Sequence, residues 1–469
     1  MSSSDIEKFI YQTSYPNEDI VFFKSDLDSN SKLEIIHNGN CLNADGSVTF
    51  TWFPNPRLKL DISINSNDGN ACNLTDCHDI EFKIPNQIST VSCRVKTSTF
   101  ESTQKIIRLI SDFNDNIEIG SQSSQLSYVI FHIPNFVDFD YRPYITYSEQ
   151  FDGAVMHNDT WEVTVHTNRA FRSIGGMKDQ LLSTGGYAIS HVGKIKKVNG
   201  SNFTPNELED IIFPLHYFLA FAKGAWCSPL FPVGFDNNKQ EIWKCLSVSS
   251  IVDPWRMDNT WFNQDAYSLV QLFPGFMDIW HNLDLRDAIF KVVIHLYIES
   301  CKVIGSIEIS IVLIQVALET LSWNILVTKC NDFSNKEFKK KDAAEIIRLL
   351  LNKYSIPKDI PDEFICLKQV VQTVNEPHRI NDGPSVFSYL RNKITHGKNE
   401  YVNTVVNVIT DQDKLEAWKL GKWYLELVLL GLFNYSGKYI KSATHHQRLY
   451  GQEGELVPWI STDNPITSI

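Results

Sequence analysis

The stretch Phe387-Ser-Tyr-Leu-Arg391-Asn392-Lys-Ile-Thr-His396-Gly397 decides how the C-terminal part of this chain is interpreted. Asp382 suits the position that caps a helix, and Pro384 suits a first helical position, where its missing N–H has no partner to lose. Gly397 suits the left-handed residue that ends a helix. A start signal and a stop signal therefore bracket roughly three helical turns over residues 384–396.

This predicted helix has one apolar and one polar face. At 100° per residue, one face collects the apolar side chains of Val386, Phe387, Leu390 and Ile394. The opposite arc carries Arg391, Asn392, Thr395 and His396. Arginine can bind a phosphate with two parallel N–H groups, and histidine can move a proton near neutral pH. The pattern therefore favours a phosphate-handling site, and the alternative is a capped surface helix whose polar face only meets water.

The spacing on the polar face resembles that of a known family. Arg391-Asn392-x3-His396 resembles the Arg–x4–6–His signature of HEPN domains (higher eukaryotes and prokaryotes nucleotide-binding). The run from Leu390 to Gly397 is similar to the ApeA-type HEPN proteins of bacterial anti-phage defence. In that family a long N-terminal region precedes a C-terminal HEPN domain, and the resemblance therefore implies an all-α HEPN bundle at the end of this chain.

The resemblance also implies a reaction, a metal-independent cleavage of RNA in which the 2′-OH attacks the phosphate. His396 would act as base or acid, and Arg391 would bind the phosphate. Asn392 would hold the histidine or contact a phosphate oxygen. No cofactor and no metal are implied. One motif supplies one histidine, so the resemblance implies a homodimer or higher homo-oligomer in which two motifs form one site.

A second predicted helix, Glu308–Val327, is apolar nearly all round. Its polar residues Glu308, Gln315, Glu319 and Ser322 fall on one narrow stripe. A buried carboxylate needs a partner. Glu319 is therefore a possible supporting residue that orients His396 or faces the substrate. Alternatively, it pairs with a lysine or arginine of a neighbouring helix, or reaches solvent.

The N-terminal region is predicted to be β-rich, because short segments alternate apolar and polar residues. The segments are Ser47–Phe53, Leu58–Ile64, Asp79–Ile84, Thr90–Val95, Tyr128–Ile133 and Trp161–His166. The expected fold class is therefore α+β multidomain, a β-rich N-terminal region followed by the helical bundle. The expected parts are a sandwich-like domain (1–200), a mixed connecting region (201–280) opened by a Thr204–Glu207 capping box, the helical domain (281–437) and a tail (438–469). Thr410 suits the cap of the last helix of the helical domain.

Composition narrows the setting. The N-terminus is polar and acidic, which predicts no signal peptide, and nine scattered cysteines indicate reduced thiols in a cytoplasmic protein. The apolar run 309–327 is interrupted by Gln315 and Glu319, which favours a buried helix and no membrane association. Residues 280–437 carry 19 basic and 19 acidic side chains, so the rest of the chain holds the whole net charge of −12. RNA is therefore expected to bind at the C-terminal part, where Lys336 and Lys339–Lys341 cluster, although such a cluster also fits a solvated helix face.

The leading hypothesis is a ribonuclease effector of anti-phage, abortive-infection defence that cleaves RNA, with tRNA as one candidate substrate. Its β-rich region would sense a phage-derived trigger or hold the nuclease off. The alternative is a non-catalytic HEPN module that binds nucleotide or RNA within a regulatory or sensor assembly. A third class, a carbohydrate- or ligand-binding β-domain fused to a helical dimeriser, stays open for residues 1–270.

Overall fold

The computed structural model divides the chain into two compact units, described separately below. One contains residues 1–216 and 227–256, and the other residues 217–226 and 257–469. The residues that the structure describes are 20–25, 31–37, 39–52, 56–65, 79–101, 106–113, 116–139, 153–167, 181–182, 185–246, 252–256, 259–302, 306–374, 380–395, 409–441 and 454–460.

The first unit begins with seven antiparallel strands. They are β1 Ile20–Lys24, β2 Leu33–His37, β3 Asn40–Thr51, β4 Arg57–Asn65, β5 Asp79–Lys83, β6 Val91–Glu101 and β7 Ile106–Phe113. Their order is β1-β3-β2-β5-β6-β7-β4, and β3 also pairs with β4. That last pairing, from Asp45↔Ser63 to Thr51↔Arg57, joins the two ends of the series. Six strands therefore form a closed ring, with β1 added along β3.

The alternating residues of this ring point to a packed interior. Strand β4 shows the rule, since Leu58, Leu60, Ile62 and Ile64 are buried while the residues between them are not. Phe50 on β3 contacts the ring of Trp52 edge-on, with centroids 4.6 Å apart. The period-two pattern read from the sequence is thus confirmed, since it buries one side of each strand.

A second antiparallel sheet follows in the same unit. Its strands are β8 Ile117–Ile119, β9 Tyr128–Pro134, β10 Gly153–His157, β11 Trp161–Thr167, β12 Ile189–Lys197, β13 Leu230–Phe235 and β14 Glu241–Leu246, in the order β10-β11-β12-β9-β13-β14-β8. Helix α1 (Pro205–Lys223) lies between β12 and β13 in the chain. It starts at the predicted capping box, because Thr204 N donates to Glu207 Oε2 at 2.8 Å and Glu207 N donates to Thr204 Oγ1 at 3.4 Å.

The second unit is helical. Its helices are α2 Ala266–His281, α3 Leu283–Arg286, α4 His295–Cys301, α5 Ile307–Ser322, α6 Asn335–Phe338, α7 Ala343–Lys353, α8 Ile365–Thr373, α9 Gly383–Thr395 and α10 Asp411–Leu432. Two π-helical segments, Asp287–Ile294 and Trp323–Lys329, continue α3 and α5. Thr410 caps α10 as predicted, since its hydroxyl accepts from Asp413 N at 3.1 Å. The coarse α+β multidomain class is therefore confirmed, with a β-rich N-terminal half and a helical C-terminal region.

Helix α5 lies within the helical unit. Together with its π segment it covers Ile307–Lys329 and is, by length and composition, long and apolar enough to cross a membrane, but 56% of an apolar stretch of 18 residues within it is buried in the protein. Its buried residues Ile311, Ile314, Ala317, Leu318 and Leu321 face the neighbouring helices. The predicted helix is present and is partly buried, since Ile309 and Val316 are exposed.

Three features differ from the sequence-based expectation. The expected sandwich-like arrangement differs from the observed pairing, because β3–β4 closes the first sheet on itself. The expected connecting region divides: β13 and β14 pair into the second sheet, whereas α2 belongs to the helical unit. The expected tail contributes a two-stranded sheet, β15 (Lys438–Tyr439) with β16 (Glu455–Leu456), and Tyr439 is buried there.

Candidate active site

Helix α9 carries the polar motif, and its start is fixed by one carboxylate. Asp382 Oδ1 accepts from Ser385 N at 2.9 Å, which is the predicted cap. The same carboxylate accepts from Arg348 Nε at 2.6 Å and from Arg348 Nη2 at 3.1 Å. Burial by itself raises the pKa of Asp382, but the bonds from Arg348 and Ser385 outweigh it and hold the pKa below its usual value. The capped end is therefore anchored to α7 as a charged pair.

The buried face of α9 packs on α10. Val386, Phe387 and Leu390 are fully buried, as the sequence predicted, whereas Ile394 of the predicted apolar face is only partly buried. Gly421 on α10 faces the Phe387 ring so closely that a Cβ there would lie 2.4 Å from Phe387 Cε2 and 3.0 Å from Ile314 Cγ2. The absence of a side chain at Gly421 thus lets α9 approach both α10 and α5.

Helix α5 is tied to α10 at its own start. Ser306 Oγ accepts from Ile309 N at 3.3 Å, and Glu308 Oε1 lies 2.7 Å from Lys414 Nζ. The hydrogen bond from Lys414 is the main reason why the pKa of Glu308 lies below its usual value. These contacts fix where α5 begins, and therefore which of its residues reach α9.

Arg391 is held by two groups at the polar end of α9. Its Nη2 lies 3.5 Å from Glu319 Oε1 on α5, and its Nη1 donates to Asn392 Oδ1 at 3.0 Å. The Arg391 side chain is 22% exposed and that of Glu319 is 39% exposed, so the pair is half-buried. Thr395 Oγ1 donates back to Arg391 O at 3.2 Å. The structural alternative for Glu319, pairing with an arginine of a neighbouring helix, is the one observed.

His396 and Gly397 lie outside the described residues, so their predicted places next to Arg391 and Asn392 stay predictions. Lys336, Lys339 and Lys340 of the lysine cluster are exposed. Lys341 lies 4.9 Å from the Phe333 ring centroid and pairs with Glu345. The structure thus brings together Arg391, Asn392 and Glu319 of the four predicted site residues.

The sequence did not single out Gln315 as part of the site, although it lies on the noted polar stripe. Gln315 is fully buried, and its Nε2 donates to Glu319 Oε1 at 2.8 Å. That oxygen is the same one that meets Arg391. Ser388, buried on α9 one turn before Arg391, was also missed. A buried amide one helical turn before a carboxylate was the available signal.

This arrangement can bind an anion and leaves proton transfer to another group. Arg391 offers a positively charged, planar set of N–H donors. Within the described ranges, no group of three or more His, Cys, Asp or Glu side chains is arranged to hold a metal ion.

Known protein families match two parts of the chain, the part that holds the candidate site and the part that forms the second sheet. Residues 284–453 match the family model described as the YopA C-terminal domain, and residues 121–258 match the YopA central domain. The chain resembles a prophage protein. It is 28% identical over 433 residues to the SPbeta prophage-derived uncharacterized protein YopA of Bacillus subtilis (strain 168). The alignment covers 89% of this chain and 91% of that protein. No solved structure matches. Glu319, Arg391 and Asn392 lie inside the C-terminal match, whereas the closed ring lies outside both matches.

Proposed function

We propose that the chain is a metal-independent endoribonuclease of the HEPN type. The observation that carries this proposal is the arrangement around Arg391, which lies at the polar end of a capped, buried helix and is held by Glu319 and Asn392. The sequence places His396 four residues after Asn392, which supplies a group that transfers protons near neutral pH.

The reaction follows from the substrate's own chemistry. The 2′-oxygen of RNA forms a bond to phosphorus as its proton leaves to a base, and the bond from phosphorus to the 5′-oxygen breaks as that oxygen gains a proton. The products are a 2′,3′-cyclic phosphate and a 5′-hydroxyl. Arg391 stabilises the negative charge that builds on the phosphate oxygens, and His396 handles one of the two protons. A second histidine from another copy of the motif handles the other, so the active form is a homodimer or higher homo-oligomer.

The biological role is part of the same proposal. A relative is named as a prophage-derived protein, which fits a role in defence of the bacterial cell against other phages. In this role the enzyme is cytoplasmic and cleaves host or phage RNA, tRNA among the candidates. The β-rich unit receives a phage-derived trigger, and the outcome is abortive infection.

The test is the loss of RNA cleavage in Arg391→Lys. Lysine keeps the positive charge but loses the planar donor set, so we expect cleavage to fall by about a hundredfold, as removal of one oriented transition-state donor does. Arg286→Lys is the matched control, because Arg286 is an ion-paired surface arginine of the same unit and lies in another helix. Equal activity of both variants would contradict an oriented role for Arg391. RNA binding without cleavage by the unaltered protein would favour the non-catalytic HEPN module.

A further inference from the structure

Gln315 lies in an environment that is unfavourable for an amide side chain. It is a glutamine with no exposed surface in the middle of a largely apolar helix. Its Nε2 has a partner, but its Oε1 is buried and has no hydrogen-bond partner among the described residues. A buried carbonyl without a partner lowers the free energy of unfolding, and a leucine would fill this position without that cost. Helix packing therefore does not account for Gln315.

The orientation of the amide is set by charge. Glu319 Oε1 lies 2.8 Å from the amide of Gln315, and only the NH2 group can donate to a carboxylate. Turning the amide over would bring two oxygens together. The hydrogen bond to Glu319 therefore fixes the orientation of the Gln315 amide. In this orientation Gln315 Oε1 is buried without a partner among the described residues.

The two helices are aligned so that this interaction reaches Arg391. Ile314 of α5 and Phe387 of α9 both lie against Gly421. About one turn further along each helix, Glu319 of α5 lies against Arg391 of α9. Helices α5 and α9 therefore run in the same direction, with Gln315 and Ser388 at the level between these two contacts. Ser388 Oγ and Arg391 Nε are also buried and have no partner among the described residues.

We propose that Gln315 is a positioning residue that acts through Glu319 on Arg391. Its amide holds Glu319 Oε1, Glu319 holds Arg391 Nη2, and Asn392 holds Arg391 Nη1. Arg391 is thereby kept in one orientation before the substrate phosphate arrives, which lowers the ordering cost of binding it. This role rests on the proposed ribonuclease function, since the phosphate is what the guanidinium is positioned for.

The experiment uses the variant Gln315→Leu, with Thr320→Val as its matched control. Thr320 lies on the same helix beside Glu319, and its hydroxyl donates to Val316 O of the same helix at 2.8 Å. The first measurement is the rate at which phenylglyoxal modifies Arg391, followed by mass spectrometry of the peptide. Loss of the hold on Glu319 should raise this rate about threefold, as expected for a weakened half-exposed ion pair. Thr320→Val should leave it unchanged.

The second measurement is thermal stability together with cleavage. We expect Gln315→Leu to melt no lower than the unaltered protein, because it removes a buried carbonyl that lacks a partner. We expect kcat to fall about tenfold at the same time, because misplacement of a catalytic group costs rate. A residue with a purely structural role would lower stability and activity together.

The outcomes separate the two proposals. An unchanged Arg391 modification rate in Gln315→Leu overturns the positioning role, whatever the cleavage assay shows. A raised rate, in a protein that never cleaves RNA, supports the positioning of Arg391 and overturns the ribonuclease. If Gln315→Leu failed to fold, Gln315→Met would replace it, with the same expected results.

Discussion

Removing the Asp382 carboxylate should loosen the helix that carries the candidate site. Asp382→Ala loses the cap of α9, worth about 1 kcal/mol, and the two bonds from Arg348, worth about 2 kcal/mol for a charged partner that is partly buried. The sum of about 3 kcal/mol corresponds to a drop of about 6–12 °C in the melting midpoint of a unit of this size. Asp382→Asn keeps a capping oxygen, so it should lose only the ion pair, about 4–8 °C.

The pH dependence of this effect has a definite sign. The folded pKa of Asp382 is held below its usual value, so the charged carboxylate stabilises the fold above the unfolded pKa of about 3.9. That stabilisation is lost as the pH falls through the folded pKa. The difference in melting midpoint between the unaltered protein and Asp382→Asn should therefore be largest at pH 7 and should shrink as the pH falls below about 4.

The assay is thermal unfolding followed by circular dichroism at 222 nm, at pH values from 7 down to 3. Asp362→Asn is the control, because that side chain is fully exposed and forms an exposed ion pair with Lys368, so its midpoint should not move. A midpoint of Asp382→Ala within 1 °C of the unaltered protein would refute the anchoring role. So would a difference for Asp382→Asn that persists unchanged at pH 3.

Three further predictions concern packing and assembly. Gly421→Ala should destabilise the protein by about 1–2 kcal/mol, because the new Cβ collides with the Phe387 ring, and a stable variant in thermal unfolding would contradict this packing. Glu426→Ala should cost about 3 kcal/mol in denaturant unfolding, because this fully buried carboxylate pairs with Lys422 and accepts a hydrogen bond from Tyr297 Oη, and a change below about 1 kcal/mol would argue against those contacts. Mixing the unaltered protein with an excess of His396→Ala should lower its cleavage, because a mixed dimer holds one histidine and the shared site needs two, and a fully active monomer at low concentration would exclude such a shared site.

The local signals of the sequence were the most informative. Three helix caps were predicted from two or three residues each, at Asp382, Thr204 and Thr410, and each makes the expected hydrogen bond. Such caps depend only on residues within four positions of one another, so no tertiary information is needed. The buried face of α9 was predicted in the same way, from the helical period.

The closed ring and the domain boundaries were not predictable in this way. Closure depends on one pairing, β3 with β4, and the alternation of Leu58 and Leu60 is the same in an open sheet and in a ring. The strands β13 and β14 follow a long helix, and nothing local indicates that they rejoin the second sheet. Both features are set by contacts between distant parts of the chain.

The candidate site was partly predictable. The motif containing Arg391 and Asn392 was readable, and Glu319 was singled out because a carboxylate on a buried helix needs a partner. Its pairing with Arg391 required the alignment of α5 and α9, which Gly421 permits. Gln315 was overlooked because its significance comes from that alignment and from its complete burial.

The most direct test of the central claim is incubation of the purified protein with total cellular RNA in excess EDTA, with sequencing of the new ends. We expect cuts that leave a 2′,3′-cyclic phosphate and a 5′-hydroxyl. These cuts should disappear when the 2′-OH at the cut site is replaced by hydrogen, and His396→Ala should abolish them. Cleavage that stops on chelation and returns with magnesium or manganese, or that continues on the 2′-deoxy substrate, would contradict the account.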